Sequence, residues 1–513
     1  MTDLNHKNVL VLGLGASGLA LARWCARCGA TVTVADTRPA PPQRQALQTS
    51  VPGAVFLHAA MDEALLAGAA FDGVFKSPGL SPASVQNVID AARAQGMVCG
   101  NELSLFAQAL ADLKQERGYA PQVIGITGTN GKTTVTSLTG QLVQRAGKSV
   151  AVAGNIGPTL LDTLMQKLDE ENEKQRERQS EEQANEQALP DVWVLELSSF
   201  QLDGVSSFEP TVATVLNVTQ DHLDWHGTMS AYAAAKANVY GRSGLMLLNR
   251  NDPLVMAALP SLVKGKQLRE VLTFGNDAPQ RPGDYGIETV NGMAWLVRAA
   301  QADETVRRRK HEEVVLHIQR LMPIDALRIR GRHNATNALA ALGLAVAAGC
   351  NLAPMLHGLR DYRGEPHRVE PVAVIHDIEY FDDSKGTNVG ATVAALAGLG
   401  ADRKLLLILG GEGKGQDFSP LVDPVSRYAR AVVLIGRDAP LIRHVLQTSA
   451  VPLLDAASLQ EAVQVAARQA QPGDAVLLSP ACASFDMFDG YEHRARVFCD
   501  AVQALAHEEG AVL

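Results

Sequence analysis

The sequence predicts an α/β protein of three domains in series, and three observations carry that prediction. Strand-like apolar runs alternate with helical stretches along most of the chain, the pattern of parallel sheets covered by helices. A strand that feeds a glycine turn and then a helix occurs at Gly13–Gly18 and again at Gly128–Thr134. A third alternating set starts after Gly364-Glu365-Pro366, which reads as a linker. With 513 residues the chain is too long for one hydrophobic core. The domains are placed at 1–115, 116–365 and 366–513.

In the first domain Val9–Leu12 is a short apolar strand, Gly18–Cys28 a helix and Thr31–Ala35 a second strand. Gly73–Phe75 is a later strand that runs into Ser77-Pro78-Gly79. Cys25 and Cys28 have CxxC spacing, but they lie among Ala, Leu and Trp with no second Cys/His pair nearby. Core packing is the expected role.

The second domain opens with a β-rich run at Gln122–Thr127, a glycine loop and a helix from Thr133. Further strands are expected at Ser149–Val152, Val192–Leu197 and Val212–Leu216. The stretch Leu168–Gln187 is almost entirely Glu, Gln, Lys, Arg and Asn. It reads as an insertion near 165–190, a solvated helix or a disordered run that builds no core. Gly331–Gly349 is an Ala-rich helix suited to close packing. In the third domain Glu370–Ile375, Leu405–Leu409, Ala431–Ile435 and Ala475–Leu478 are the strands.

Composition excludes several classes. Hydrophobic residues make up 46% and charged residues 20%, the balance of a soluble globular protein. A formal net charge of −9 argues against a nucleic-acid surface. No run approaches the length of a membrane span, the N-terminus lacks a secretory pattern, and six Cys form no disulfide framework. A cytoplasmic location and a monomer are expected.

The motifs supply the chemistry. Gly13-Leu14-Gly15-Ala16-Ser17-Gly18 fits the dinucleotide fingerprint: a tight turn at Gly13, close backbone approach at Gly15, and a diphosphate on the helix N-terminus. Asp36 ends the next strand, where an acidic residue meets a ribose or base. By itself this turn suits UDP as well as NAD. Gly128-Thr129-Asn130-Gly131-Lys132-Thr133-Thr134 is more informative, because its backbone N–H groups and Lys132 suit ATP phosphates and the Thr133 hydroxyl suits Mg²⁺.

Glu196 and His222 lie at the carboxyl ends of strands, where α/β sites form, and offer a carboxylate and an imidazole to Mg²⁺. Lys236 stands in an apolar helix; burial there lowers its pKa and leaves an amine able to take up CO₂ as a carbamate. The alternative is a surface lysine with its stem on the helix. Asp382–Asn388, Gly410–Lys414 and Ser479–Ser484 each follow a strand, and three polar loops in one domain suggest one binding face.

Together these residues resemble the Mur ligases of peptidoglycan synthesis over nearly the whole chain. The most telling stretches are Leu195–Leu202, Asp383–Asn388 and Leu478–Ser484. The likeness is greatest to the member that adds D-glutamate to UDP-N-acetylmuramoyl-L-alanine: Asp-Asn-Pro-Arg is absent, and the loop reads Gly-Thr-Asn-Gly-Lys. The resemblance implies a Rossmann-like UDP-binding domain, a P-loop-type ATPase domain and a Rossmann-like amino-acid domain. It implies an ATP- and Mg²⁺-dependent ligase that works through an acyl phosphate.

Residue by residue, the resemblance implies that Gly15, Ser17, Asp36, Thr37, Arg38, Gly79 and Ser198 hold the UDP substrate. It implies that Gly128, Thr129, Asn130, Gly131, Lys132, Thr133, Thr134, Asn155, Asn337, Arg368, Asp383 and Lys385 hold ATP. Thr133, Glu196, His222 and a carbamylated Lys236 fall to the metal, with Lys132, Lys236 and His222 as the catalytic set. Thr387, Lys414, Ser484 and Tyr491 fall to D-glutamate; Tyr491 stands where the family often has Phe. The stretches Leu168–Gln187 and Gln301–Glu313 exceed the usual family length.

Two other classes compete. An NAD oxidoreductase would use Gly13–Gly18 and leave the second and third domains unexplained. An ATP-driven switch would hydrolyse ATP without an amino acid.

Overall fold

The computed structural model describes residues 4–68, 70–178, 189–301, 315–401 and 403–511. Three large sheets follow one another along the chain. The first contains β1 (Asn8–Leu12), β2 (Thr31–Asp36), β3 (Val55–His58), β4 (Gly73–Lys76) and β5 (Val98–Asn101). All its pairings are parallel, in the order β3-β2-β1-β4-β5. The order reverses between β1 and β4, so the loops after these two strands border the crevice where such sheets take ligands.

The second sheet contains β6 (Gln122–Thr127), β7 (Val150–Gly154), β8 (Val192–Glu196), β9 (Val212–Val215), β10 (Leu245–Asn249) and β11 (Val271–Phe274). Its order is β11-β10-β9-β6-β8-β7, again all parallel. β6 lies between β8 and β9, which brings the ends of three strands carrying Gly128, Glu196 and Asn217 side by side. β8 is buried at every residue, as a strand covered on both faces must be.

An antiparallel sheet of β12 (Tyr285–Val290), β13 (Met293–Gln301) and β14 (Leu316–Pro323) is an addition the sequence reading missed. The signal was present. Asn291-Gly292 joins β12 to β13 with both φ values positive (51° and 80°), the type I′ hairpin turn that Asn-Gly favours.

The last sheet contains β15 (Glu370–Ile375), β16 (Ile378–Asp382), β17 (Leu405–Gly410), β18 (Ala429–Ile435), β19 (Leu453–Asp455) and β20 (Ala475–Leu478). Its order is β15-β16-β20-β17-β18-β19, with only β15 antiparallel. β16, β20 and β17 are neighbours, so the three polar loops foreseen after them do form one face.

The charged stretch needs a correction. The helix Leu160–Arg178 places Leu160, Leu161, Leu164 and Leu168 in the core, so Leu168 belongs to the packed half of that helix. Spacings of three and four residues put these leucines on one stripe, and only the turns beyond them are polar. Residues 179–188, and residues 302–314 of the second long stretch, lie outside the described residues. The Ala-rich helix is found at Arg332–Ala347, with Ala338 to Leu342 fully buried. Cys25 is fully buried, and burial pushes its thiol up to about 12, which suits packing and opposes redox chemistry.

Candidate active site

The glycine loop after β6 turns through Gly131 at φ 82° and enters the helix Lys132–Arg145. A Cβ on Gly131 would stand 2.9 Å from Asn337 Oδ1, so the loop and the helix Arg332–Ala347 meet at a glycine for want of space. Asn217, just past β9, braces the loop: its carbonyl accepts from Thr129 N at 2.9 Å and its Oδ1 from Asn130 N at 2.8 Å. Lys132 folds over the loop, and Nζ donates to Gly128 O and Thr129 O, both at 2.9 Å.

Lys236 meets the same loop from beneath. It is 1% exposed, and its Nζ donates to Gly128 O at 2.8 Å, 4.5 Å from the centre of the Tyr232 ring. Two lysines thus share one carbonyl oxygen. Burial, reinforced by Lys132, holds the Lys236 ammonium far below its ordinary range. Lys132 is also lowered by burial, but Glu196 opposes that shift. Of the pair, Lys236 is the one placed to be a neutral amine.

Glu196 ends β8 fully buried, and its Oε1 accepts from Asn155 Nδ2 at 3.1 Å. His222 sits at φ 54° with its ring edge-on to Phe200 at 4.8 Å. Burial lowers the pKa of His222, which keeps the imidazole in its neutral, electron-donating form.

The third domain closes on this loop. Asn388 and Asn130 exchange two amide hydrogen bonds, at 3.0 and 3.2 Å, and Arg368 Nη2 donates to Thr133 Oγ1 at 2.6 Å. Between the domains lies a cavity of about 410 Å³, lined on one side by Lys132, Thr133, Asn155, Glu196 and His222 and on the other by Arg368, Lys385, Thr387 and Lys414. A smaller cavity of about 110 Å³ adjoins it, lined by Gly131, Thr134, Asn337, Arg368, Asp383 and Lys385. Burial, then Arg368, draws the Lys385 ammonium down to about 8. Burial raises the Asp383 carboxyl to about 7, while Ser479 Oγ donates to its Oδ2 at 2.7 Å.

The first sheet carries the remaining loop. A Cβ on Gly18 would lie 1.9 Å from Gly13 O, so the helix Ala16–Arg27 packs directly on the turn. Asp36 is buried and fully engaged: Oδ2 accepts from Leu14 N at 2.7 Å and Arg38 Nη2 at 2.8 Å, and Oδ1 from Arg38 N and Nε at 2.9 Å. The Arg38 pairing and its hydrogen bonds hold Asp36 down to about 2. Asp36 therefore shapes the turn and fixes Arg38. Ser77 N donates to Leu12 O at 2.8 Å, which brings Ser77-Pro78-Gly79 beside the glycine turn.

Comparison with known proteins decides the family. The chain matches the Mur ligase MurD-like N-terminal domain over 7–100, the Mur ligase middle domain over 126–345 and the Mur ligase glutamate ligase domain over 367–482. The chain belongs to the Mur ligase family. It is 66% identical to the UDP-N-acetylmuramoylalanine–D-glutamate ligase of Albidiferax ferrireducens, covering 100% of this chain and 99% of that one. A ligase of the same name from Ralstonia nicotianae is 55% identical, covering 100% and 99%. Among solved structures, MurF ligase from Thermotoga maritima superposes with a TM-score of 0.55 at 14% identity, covering 99% of this chain and 100% of that one. At that identity the likeness speaks for the fold alone.

In this Mur ligase not every expected residue reaches the cleft. Ser484 is 3% exposed and lies one residue behind Ala483, which lines the main cavity. Tyr491 stands apart from that cavity: its ring lies 3.8 Å from Lys385 Nζ and faces His367. Ser198 caps the short helix Ser199–Leu202, accepting from Gln201 N at 3.2 Å. Lys236 meets the glycine loop at Gly128 O and does not line the main cavity.

Some residues at the site escaped the sequence reading. Arg494 is buried beneath the Asp383–Asn388 loop, where its guanidinium donates to Ser384 Oγ, Ser384 O and Cys482 O at 2.8–3.1 Å. Nothing local in Glu492-His493-Arg494 marks it. His367 donates or accepts through Nδ1 at 2.7 Å from Asp382 Oδ2. Among the described residues, His367, Glu370 and Asp382 form a trio of donors within 4.8 Å. The short His367–Asp382 contact is a hydrogen bond that needs no ion.

Proposed function

We propose that this Mur ligase joins D-glutamate to UDP-N-acetylmuramoyl-L-alanine, coupled to cleavage of ATP, as a cytoplasmic step in peptidoglycan precursor synthesis. One observation carries the reading: the P-loop residues Lys132 and Thr133 face Arg368, Lys385, Thr387 and Lys414 across a single cavity. The choice of substrates rests on relatives named for this reaction at 55–66% identity over the full chain.

The chemistry requires two anions to meet. The muramoyl-alanine carboxylate attacks the γ-phosphorus of ATP, ADP leaves, and an acyl phosphate forms. The D-glutamate amine then adds to that carbonyl, and collapse of the tetrahedral adduct expels phosphate and leaves an amide. Lys132, Arg368 and Lys385 offset the repulsion in the first step and stabilise charge that grows on the transferring group. Lys414 and Thr387 suit the carboxylates of the incoming amino acid. Burial of reactants between the domains keeps water from the acyl phosphate.

The donor set fits Mg²⁺, with a carboxylate from Glu196, a neutral imidazole from His222 and the Thr133 hydroxyl. When bound, the ion supplies positive charge against the phosphoryl oxygens. Lys236 fits a carbamate: its neutral amine adds CO₂ to give N-carboxylate and a released proton, turning a donor into an anionic ligand. Gly15, Ser17, Thr37, Arg38 and Gly79 suit the UDP portion, and Asn337 and Asp383 suit contacts to the ATP nucleotide.

The test is phosphate release from ATP with UDP-N-acetylmuramoyl-L-alanine and either D-glutamate, L-glutamate, D-alanine or no amino acid. Release that requires D-glutamate and both other substrates is expected. Release without any amino acid would replace the ligase by an ATP-driven switch.

A further inference from the structure

Four arginines surround a further cavity where the second domain meets the third. It has a volume of about 340 Å³ and is lined by Arg328, Arg330, Arg363 and Arg368; the carboxylates among its described lining residues are Glu365 and Glu370. Arg328 and Arg330 lie just before the helix Arg332–Ala347, and Arg363 lies in the linker after the helix Leu352–Asp361. The cavity shares Asn334, Arg368 and Val369 with the smaller cavity beside the P-loop, and only Arg368 with the main one. It therefore continues the cleft on the side away from Lys132.

Three of these cations have no partner in the chain. Arg328, Arg330 and Arg363 are exposed, and among the described residues their guanidinium groups make no ion pair and no hydrogen bond. The nearby carboxylates are engaged elsewhere. Glu365 Oε1 accepts from the Tyr362 hydroxyl at 2.7 Å, Glu370 Oε2 from His367 N at 2.8 Å, and Asp361 Oδ2 from Arg145 Nη2 at 2.6 Å. Four positive charges against two negative make this cavity cationic in a chain whose formal net charge is −9. Like charges gathered without counter-ions repel one another, and an anion among them removes that cost.

We propose that this cavity is a phosphate-binding site separate from the P-loop, in which Arg328, Arg330 and Arg363 hold one phosphoryl group. A guanidinium presents parallel N–H donors that match a pair of phosphoryl oxygens. A tetrahedral phosphate has oxygens enough to accept from several such groups at once, and it carries more charge than a carboxylate. Two sources of that phosphate fit the position. One is free inorganic phosphate, which the proposed reaction releases. The other is a second phosphate on the ribose of a nucleotide bound in the cleft, and this source rests on the ATP reading of the cleft.

The experiment uses the full chain saturated with the β,γ-methylene analogue of ATP, so that the P-loop and the γ-phosphate position are filled. Inorganic phosphate is titrated by calorimetry at constant ionic strength. Phosphate should bind, and Arg328→Gln/Arg330→Gln/Arg363→Gln should weaken it at least about tenfold, with Kd for the ATP analogue within about twofold. Each single Gln variant should weaken it as well, and these decide if the triple variant does not fold. A second arm compares adenosine 3′,5′-bisphosphate with AMP. Tighter binding of the bisphosphate by the parent, lost in the triple variant, assigns the site to a phosphate on the nucleotide. Equal affinities, with phosphate binding lost in the triple variant, assign it to the free anion. If the triple variant holds phosphate and the bisphosphate as the parent does, or the parent discriminates neither, the proposal is wrong. If the ATP analogue does not bind the parent, the ATP reading fails instead, and phosphate titrated without it still tests the arginines.

Discussion

Arg368 crosses from the third domain to the P-loop helix and donates from Nη2 to Thr133 Oγ1 at 2.6 Å. Its neighbours His367 and Val369 both have positive φ, 62° and 52°, and for a β-branched residue that conformation is strained. The strain is held by Lys385 N donating to His367 O at 3.1 Å and by the 2.7 Å His367–Asp382 contact. The arginine is therefore aimed at the loop by a turn that belongs to the third domain.

Replacing Arg368 by Lys keeps the charge but loses the planar fork. We expect KM for ATP to rise about tenfold in Arg368→Lys and further in Arg368→Ala, measured by steady-state kinetics with ATP varied. An unchanged KM in the alanine variant would detach Arg368 from the nucleotide.

Lys236→Ala removes the amine that shares Gly128 O with Lys132. Turnover should fall by at least about a hundredfold, the scale of losing a preorganised charged group. Short carboxylic acids such as acetate should restore part of it, because they replace the carbamate's charge. Unaltered turnover, or a loss that no acid relieves, would count against the carbamate.

The pH dependence of ATP capture follows from Lys385, held near 8 by burial and Arg368. The lysine is a cation below that value and neutral above it. The kcat/KM for ATP, which reports the free enzyme, should be level below pH 7.5 and fall toward tenfold per unit well above about 8. Lys385→Arg should stay level across that range if it remains active. A parent profile without the fall would show that Lys385 keeps its proton.

Gly131→Ala would place a Cβ 2.9 Å from Asn337 Oδ1 at a backbone angle of φ 82°. The left-handed conformation costs about 1–2 kcal/mol for an alanine. A fall in Tm together with a higher KM for ATP is expected; a variant with parental values for both would mean that the loop relaxes freely.

The sequence was legible where one local pattern decides the structure. β6 spans the foreseen residues Gln122–Thr127, and the helix after it begins one residue earlier than read, at Lys132. The three polar loops after β16, β17 and β20 share a face because strand ends in a parallel sheet point one way. What escaped was long-range. Arg494 works from beneath a loop 110 residues away, and Glu102 binds a helix 59 residues on. Ser484 lies next to Ala483 of the cavity wall, and Tyr491, at the start of the helix Tyr491–Glu508, has Lys385 over its ring, placements that no local pattern encodes.

One apolar cluster runs without a break from Val9 and Trp24 through Phe106 and Leu161 to Trp193 and Tyr240, joining the first sheet to one face of the second. The third sheet has clusters of its own, around Leu407 and around Ile408. Heat should therefore melt the first two units together, as one cooperative block, and the third as another. Evolution has made two thirds of the chain a single anvil and left the last third free to act as the hammer.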